Sequence, residues 1–440
     1  ADPPAELLAL ENPYDAGARD AAQINDIHWD HAFYNGRYYV YFGIAPCLLF
    51  QLPFEALTGI QNLAYAPCMV VLGLLLLAAC FGLVGQAVRR WFPRTTSAAY
   101  LLAVAAVVLG GQLYYLLVRP YIYEYAILCG AALLMLGLWL WLSAANTPVE
   151  KRGALLVRLA FGSLFVALVA GCRPQMELFA FLAVPIFWQR YIGQKRLRSR
   201  AGVGEAAAFI LPVVVVAAGL MWYNAARFGS PFDFGANYNL TGNDMTQRGF
   251  NAVRIGPAVF TSLFELPSWQ GVFPFLRETD VQTNAVIRTI SEKFTGGMLA
   301  ATPYLWVLAL PLLPAFRRCL HHRRAVAGIV YGGIAAMVVM TVVDCEMAGV
   351  LYRYLMDYSP VLLVGAALCW FCAEGALSRR TAVGDATAAA ALSALRVVMA
   401  AAVAYTAVYR FCTLFAMEPW LQGMNPSLYY TVSRLVQFWM

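Results

Sequence analysis

Apolar runs of about 20 residues, separated by short polar connections, recur along the whole chain. A helix of this length spans the hydrocarbon core of a bilayer, whereas a transmembrane barrel needs shorter strands with strict alternation. The pattern therefore predicts an all-α polytopic membrane protein. Its ten predicted transmembrane helices are residues 62–88, 97–117, 121–144, 155–171, 176–191, 205–226, 298–316, 325–343, 354–376 and 388–411.

The connections between these runs differ sharply in positive charge. Alternate connections carry 17 Lys and Arg residues on one side of the bundle and three, Arg119, Arg173 and Arg353, in the short loops of the other side. Because basic residues concentrate in cytoplasmic loops, the first side is predicted to be cytoplasmic. The chain then divides into five regions. Residues 1–61 form a first extracytoplasmic loop with an interfacial helix, residues 62–226 form six helices, and residues 227–297 form a large extracytoplasmic loop. Residues 298–411 form four more helices, and residues 412–440 form an extracytoplasmic tail.

One apolar stretch, residues 44–59, is too short for a crossing and contains two prolines and a glutamate. Counting it as a span would invert the charge pattern of every later loop, so we expect an interfacial or re-entrant helix. About sixty residues then precede the first span on the outer side. Such a segment needs an element that carries it across the membrane, so we expect a cleaved signal or an uncleaved eleventh helix upstream.

Composition agrees with this interpretation and excludes several classes of protein. Hydrophobic residues make up 61% of the 440 and charged residues only 12%, too few charges to coat a soluble body of this size. The net charge of +7 is explained by the cytoplasmic loops, so no nucleic-acid partner is expected. The ten cysteines are scattered, several of them within apolar runs, and indicate no metal site. The sequence predicts no cofactor and leaves a divalent metal open.

Polar and aromatic residues gather on the predicted outer side. The first loop offers two carboxylates as candidate catalytic bases, Asp15 and, as second choice, Asp30. Asp15 follows a turn-forming Asn-Pro and has Arg19 one helical turn away. The loop also contains Arg37 as a candidate donor-phosphate ligand, and Arg19, Tyr38 and Tyr39 as candidate substrate-binding residues.

The large loop and the outer ends of the helices supply further candidates. A connection of about 70 residues is too long for a tether, and Gly229, Pro231 and Gly235 predict a compact fold-back near its start. Ionisable residues close to the membrane are costly and point to function. The substrate-binding candidates from these regions are Glu124, Arg227, Asp233, Tyr238 and Asp357, and Arg173 and Arg353 join Arg37 as candidate donor-phosphate ligands.

A sugar carried on a polyprenyl phosphate accounts for these features together. Its lipid tail would enter the bilayer, its phosphate would bind arginine forks, and its sugar would stack on aromatic rings. Phosphate is a good leaving group, so one carboxylate acting as base on an acceptor hydroxyl is sufficient. The acceptor could be a glycan, a lipid or a protein, and membrane lipids are the remaining partners.

The layout also resembles the type C membrane glycosyltransferases of the mannosyltransferase and aminoarabinose-transferase kind. Asn12-Pro13-Tyr14-Asp15 with Arg19 is similar to that family's early acidic stretch. Residues 35–39 (NGRYY) leading to Ala45-Pro46, residues 227–231 (RFGSP), and the group Arg353-Tyr354, Asp357 and Pro360 resemble further family segments. The resemblance implies a polyprenyl-phosphate-sugar-dependent transferase in a bacterial-type plasma membrane, with an extracytoplasmic active site.

Two other functions remain open from the sequence. A transporter or flippase of lipid-linked sugars would also have many spans and buried arginines, but it should place charges near the bilayer midplane and often shows internal repeats. A structural subunit of an envelope complex is the third possibility. Transfer activity with an Asp15 variant as control would separate the three.

Overall fold

The structure is a computed structural model that describes residues 2–41, 43–247, 249–281, 290–417 and 420–438. Within these ranges, seven helices are long and apolar enough to cross a membrane. The predicted all-α membrane architecture is confirmed at this level. The seven helices, numbered in chain order, are α1 Tyr65–Trp91, α2 Ile122–Ala145, α3 Arg152–Gly171, α4 Arg200–Phe228, α5 Arg324–Met347, α6 Ser359–Thr381 and α7 Ala386–Ala416.

The other three predicted spans lie on helical segments that are shorter or interrupted. Residues 97–117 form Ser97–Gly110 and Leu113–Leu117, with a break between them. Residues 174–193 and 298–321 each combine a 3₁₀ stretch, Pro174–Leu182 or Pro303–Leu312, with short helical pieces such as Ala183–Trp188, Gln189–Gly193, Met298–Ala301 and Pro314–His321. Prolines begin both 3₁₀ stretches, because proline suits the first helical turn.

The long helices pack in chain order within two groups, α1 to α4 and α5 to α7. Helix α2 lies between α1 and α3, α3 packs on α4, and α5, α6 and α7 pack in sequence. Gly137 of α2 faces Gly162 of α3, and a Cβ at Gly137 would lie 2.9 Å from the Gly162 carbonyl oxygen and 2.5 Å from Val166. Small residues thus permit close contact between these two helices, as is common in membrane bundles.

Burial separates central from peripheral helices. The most apolar part of α2 is 89% buried, whereas that of α4 is 6% buried. Exposed side chains of α4 include Leu211, Val215 and Trp222. Because soluble monomers rarely expose such a continuous apolar surface, this face is suited to lipid.

Shorter elements cover the end of the bundle where α4 ends and α2 begins. The stretch predicted as interfacial is helical over Ile44–Thr58, with exposed Leu48, Leu49, Leu52 and Leu57. Small helices are found at Ala5–Ala9, Ala16–Ala21, Ala236–Tyr238, Met245–Gln247, Ala252–Phe264, Trp420–Met424 and Pro426–Val436. The strands form two hairpins, β1 Ala32–Tyr34 with β2 Arg37–Tyr39 and β3 Ser268–Trp269 with β4 Leu276–Arg277.

Local sequence explains the turns that organise this region. Asn35 and Gly36 both have positive φ, 50° and 72°, as a two-residue hairpin turn requires, which agrees with the turn that Asn-Gly predicts. The fold-back predicted after α4 is also present, since Gly229 ends α4 in the left-handed conformation and a turn follows.

The ten cysteines are free thiols, and eight of them are buried. Cys47 and Cys319 are the two that are partly exposed. Buried thiols such as Cys80, Cys129 and Cys369 lie within the hydrophobic core of the bundle, where they pack as small apolar groups.

Candidate functional site

The first loop and the large loop pack into one layer, formed by residues 2–41 and 229–247 and called the loop layer below. Asp30 N–H donates to the Leu240 carbonyl at 3.0 Å, and Leu240 N–H donates to the His31 carbonyl at 3.0 Å. Leu7, Ile24, Phe33 and Leu240 form a small hydrophobic core between the two segments. The structure thus brings together site candidates separated by some 200 residues of sequence. The large-loop residues Arg248 and 282–289 lie outside the described part of the chain.

Arg19 holds the loop layer together. Its side chain is buried, donates to the Pro13 carbonyl at 2.6 Å, and also donates to the Thr241 carbonyl. Burial lowers the pKa of Arg19, and the carboxylates of Asp20, Asp15 and Asp244 partly offset that effect. Arg19 is therefore placed to link the two loops and is not exposed to a ligand.

The first-choice base, Asp15, has a different environment from the one the sequence predicts. Asp15 is exposed, begins the helix Ala16–Ala21, and accepts from Gly17 N–H at 2.9 Å as an N-cap. Among the described residues, no ion pair joins Asp15 to Arg19. Its position in the structure is explained by helix capping.

The second-choice base, Asp30, lies closer to the helices. Its backbone has a positive φ of 59°, which aspartate tolerates better than most residues. The Asp30 carboxylate lies close to the hydroxyl of Tyr123, which also lies close to Tyr41. Tyr123 is in the first turn of α2, so Asp30 connects the loop layer with the end of the bundle.

Aromatic rings fill the space between the hairpin and the end of α4. The ring of Tyr238 lies 4.6 Å from that of Tyr34 and 5.7 Å from that of Phe228, and Tyr39 lies 5.5 Å from Phe228. The Tyr238 hydroxyl donates to Asp233 Oδ2 at 2.6 Å, and this bond to a carboxylate raises the pKa of Tyr238. Tyr34, Tyr39 and Tyr238 thus form an aromatic surface together with the Asp233 carboxylate, and Phe228 is buried beside them.

The other sequence candidates in the loop layer, and Arg227 at the end of α4, have mainly structural contacts. Arg227 donates to the Val40 carbonyl at 2.7 Å and to Asn224 Oδ1 at 3.0 Å. Tyr38 packs edge-on to His28, and burial raises its pKa. Arg37 is exposed on β2, and no hydrogen bond or ion pair among the described residues joins it to the acidic partners of Arg173 and Arg353.

Beneath the loop layer, seven ionisable residues meet at the ends of the helices; they are called the ionic cluster below. They come from five separate parts of the chain. Its members are Arg119, Glu124, Arg173, Glu292, Asp344, Arg353 and Asp357.

The first half of the ionic cluster contains two arginines and two glutamates. Arg353 pairs directly with Glu292 and lies 3.8 Å from Glu124 Oε1. Arg119 lies 3.7 Å from the same Glu124 oxygen and 4.0 Å from Glu292 Oε1. Each glutamate therefore contacts both arginines, and the charges of this half balance.

The second half has one arginine and two aspartates. Arg173 Nε donates to Asp357 Oδ2 at 3.2 Å, and Arg173 Nη2 lies 3.9 Å from Asp344 Oδ1. Gln175 donates to Asp344 Oδ1 at 3.1 Å and lies 3.4 Å from Asp357 Oδ2. With both aspartates ionised, this half would have a net charge of −1.

Tyr354 joins the two halves. The guanidinium carbon of Arg173 lies 4.3 Å from the centroid of its ring and that of Arg353 lies 5.6 Å from it. Arg353 also lies 5.0 Å from the Tyr123 ring, whose hydroxyl contacts Asp30. A continuous series of contacts thus runs from Arg173 through Arg353 to Asp30.

Several buried polar atoms of this region have no hydrogen-bond partner among the described residues. They are Asp344 Oδ2, Asp357 Oδ1, Arg353 Nε and the Tyr358 hydroxyl. Such groups are uncommon in folded proteins and are expected where water, an ion or a ligand binds. A small pocket of about 10 Å³, roughly the room that one water molecule needs, lies beside Asp344 and Tyr358 and is also lined by Ser262, Cys345 and Tyr354.

The structure adds two charged residues that the sequence analysis did not identify. Glu292 lies near the end of the large loop, and no local pattern distinguishes it from other surface glutamates. Arg410 lies within an apolar helix, and an ionisable residue in such a run is a signal that the sequence does carry.

Arg410 has a structural environment without a carboxylate partner among the described residues. It is 4% exposed and donates to the Leu109 and Gly110 carbonyls at 3.1 and 2.8 Å. These carbonyls end the helix Ser97–Gly110, where the helix dipole favours a cation. Its remaining N–H groups donate to Tyr114, Tyr352 and Thr302.

Within the described residues, no group of three or more His, Cys, Asp or Glu side chains is arranged to hold a metal ion. Comparisons of the chain with protein-family models, curated proteins and solved structures found no match.

Proposed function

We propose that the protein is a membrane glycosyltransferase that moves a sugar from a polyprenyl phosphate to an acceptor hydroxyl. In this proposal the shorter helical segments complete ten spans, the loop layer lies on the extracytoplasmic face, and the membrane is of the bacterial plasma-membrane type. The acceptor is a glycan, a lipid or a protein. The type C glycosyltransferase resemblance belongs to the same proposal.

The observation that carries the proposal is the contact series Arg353–Tyr123–Asp30. Arg353 Nε is buried without a hydrogen-bond partner among the described residues, so it can donate to a phosphate oxygen without first breaking a hydrogen bond. Asp30, at the other end of the series, is only partly buried. A phosphate ligand and a candidate base are therefore connected through one tyrosine ring.

The position of this contact series suits a substrate that has a lipid tail and a polar head. The ionic cluster lies at the ends of long apolar helices, where the phosphate of a membrane-embedded polyprenyl chain would be found. Arg173 and Arg353 supply fork-shaped donors, which suit phosphate better than lysine does. Carboxylates pair with both arginines in the structure, so an anionic donor has to displace them to bind the guanidinium groups.

Asp30 is the better placed of the two candidate bases. Its carboxylate contacts Tyr123 next to Arg353, whereas Asp15 is exposed and caps a helix. In the proposed step, the acceptor oxygen forms a bond to the anomeric carbon, and the bond from that carbon to the phosphate oxygen breaks. The acceptor proton passes to Asp30, and polyprenyl phosphate leaves with the bonding electron pair.

The aromatic surface of the loop layer is the proposed sugar site. Tyr34, Tyr39 and Tyr238 present ring faces and edges within one patch, and Asp233 adds a carboxylate that accepts hydroxyl hydrogen bonds. Arg227 positions Val40 at the end of the hairpin through its 2.7 Å bond. Arg227, Asp233 and Tyr238 keep their proposed substrate-binding role, as do Tyr38 and Tyr39.

A transporter or flippase of lipid-linked sugars is the second candidate, and one observation favours it. The helical segments around Pro174–Leu182 and Pro303–Leu312 adopt 3₁₀ geometry over nine and ten residues. Long 3₁₀ stretches are uncommon, and discontinuous helices are typical of transporter sites. Asp344 and Asp357, both buried, lie close to the first of these stretches through Gln175.

Reconstitution into vesicles distinguishes the two candidates. A fluorescent polyprenyl-phosphate sugar is placed in the outer leaflet, and a soluble acceptor glycan is supplied outside. The proposal expects sugar transfer to the acceptor and release of polyprenyl phosphate. Movement of intact donor to the inner leaflet, with no transfer to glycan, lipid or protein acceptors, would favour the transporter.

A further inference from the structure

At the end of the bundle opposite the loop layer, three arginines from three helical segments converge on three consecutive residues. Arg90 of α1 donates to the Ala145 carbonyl and to Asn146 Oδ1, each at 2.8 Å. Arg190, from the segment Gln189–Gly193, donates to the Thr147 carbonyl at 2.8 Å. Arg158 of α3 donates to Thr147 Oγ1.

The carboxyl end of α2 accounts for part of this arrangement. Its last carbonyl groups carry a partial negative charge of about half an elementary charge, which favours a nearby cation. One arginine is sufficient to satisfy that charge, whereas three are present. The close approach of Arg90 and Arg190 is unfavourable to both cations.

The neighbouring acid does not balance these charges. Glu205 of α4 is fully buried, and both of its oxygens accept from Arg196. Arg190 Nε lies 3.9 Å from Glu205, which is an ion pair without a hydrogen bond. Four arginines and one glutamate leave three positive charges here, and the exposed Glu150 on the adjacent connection is followed by the exposed Lys151 and Arg152.

Arg190 has donor capacity that the described residues do not use. Its side chain is 8% exposed, and Nε and Nη2 are buried without a hydrogen-bond partner among the described residues. Arg90 and Arg158 are partly exposed beside it. A buried guanidinium with unused donors, next to two partly exposed ones, is the arrangement expected where a bound anion accepts the remaining hydrogen bonds.

We propose that Arg90, Arg158 and Arg190 form a phosphate site at this end of the bundle, occupied by the phosphodiester headgroup of an anionic phospholipid. The site lies at the ends of apolar helices, the depth at which headgroups are found, and basic pockets between helices are suited to such lipids. A soluble phosphate ion has the same binding chemistry and is the other possible source. This inference is independent of the proposed transferase activity.

Lipid retention tests the proposal. The purified full chain is mixed with equal amounts of phosphatidylglycerol and phosphatidylcholine, and bound lipid is counted by native mass spectrometry. We expect phosphatidylglycerol to be retained at least about tenfold better, which corresponds to about 1.4 kcal/mol. The double variant Arg90→Gln with Arg158→Gln should abolish this preference, whereas Arg89→Gln with Arg152→Gln, exposed neighbours on the same helices, should keep it.

Two further measurements cover the cases in which the double variant does not fold or the bound ligand is a soluble ion. If the double variant fails to fold, a photoactivatable phosphatidylglycerol is crosslinked to the wild-type chain, and crosslinks should map to residues 145–158 and 189–198. If inorganic phosphate raises the melting temperature of the wild type but not of the double variant, and no lipid is retained, the ligand of the site is a soluble phosphate ion. Equal retention of both lipids with no effect of phosphate, or crosslinks elsewhere, would overturn the site.

Discussion

Arg173 Nε donates to Asp357 Oδ2 at 3.2 Å, a contact between residues 184 positions apart in the sequence. The Asp357 side chain is completely buried, and that of Arg173 is 14% exposed. The contact fixes the 3₁₀ segment Tyr352–Asp357 against the short connection that follows α3. It therefore holds Tyr354 and Arg353 in position.

Removing one partner of this pair should be strongly destabilising. Arg173→Gln leaves Asp357 and Asp344 as buried carboxylates without their cation, and we expect a loss of about 3–5 kcal/mol in the free energy of unfolding. Adding Asp357→Asn should restore much of that loss. Denaturation in detergent measures both, with Arg380→Gln, in an exposed ion pair, as a control of small effect. Additive effects in the double variant would contradict the coupling.

Arg410 should matter for stability in a different way, through the end of the helix Ser97–Gly110. Arg410→Gln keeps a polar side chain but removes the charge and most of the five donors, so we expect a loss of about 2 kcal/mol or more. The exposed Arg434→Gln is the matched control. Thermal denaturation of the purified variants measures this, and equal melting temperatures would show that the carbonyl groups do not need Arg410.

The loop layer should loosen in acid because of Asp244. Burial acts to raise the pKa of Asp244, but hydrogen bonds from Thr246 and Asn12 outweigh it and hold the pKa below the ordinary 3.8. A lowered folded-state pKa contributes stability above pH 3.8 that is lost as the pH falls through the lower value.

Cleavage by pepsin at residues 2–41 measures that loss. The wild-type chain should resist cleavage better than Asp244→Asn above pH 3.8, and the difference should shrink below it. Comparing the two chains at each pH corrects for the pH dependence of the protease itself. A difference that stays constant across this range would contradict the assignment to Asp244.

The topology is tested by accessibility labelling. Single cysteines are placed at Gly17 and Arg198, both exposed, in a chain with Cys47→Ser and Cys319→Ser, because these two native thiols are partly exposed. We expect an impermeant reagent to reach Gly17→Cys from outside and Arg198→Cys only from inside. Labelling of both from the same side would invalidate the predicted orientation.

Sequence patterns predicted the helical body and several local features of this protein. Apolar runs located the seven long helices, and Asn35-Gly36 located a hairpin turn, because both depend on neighbouring residues. The interruptions at Pro174 and Pro303 were not predicted, since hydropathy does not distinguish an α-helix from a 3₁₀ helix.

The candidate site was less predictable because it depends on long-range pairing. The sequence favoured Asp15 because of its local spacing from Arg19, but Arg19 is buried and donates to the Thr241 carbonyl, 222 residues away. Glu292 contacts Arg353 and Arg119 in the ionic cluster, and nothing near it in the sequence indicates this. Arg173 and Arg353, in contrast, do come together through Tyr354.

The most direct measurement of the central claim is single-turnover transfer from a polyprenyl-phosphate sugar by purified, reconstituted Asp30→Asn. The substitution is nearly isosteric and removes the proposed base, so transfer should fall by about 10²–10⁴-fold. Asp15→Asn and the exposed Asp26→Asn should transfer at close to the wild-type rate. Either of two results would contradict the account. One is transfer by Asp30→Asn at the wild-type rate, and the other is no transfer by the wild-type chain to any glycan, lipid or protein acceptor.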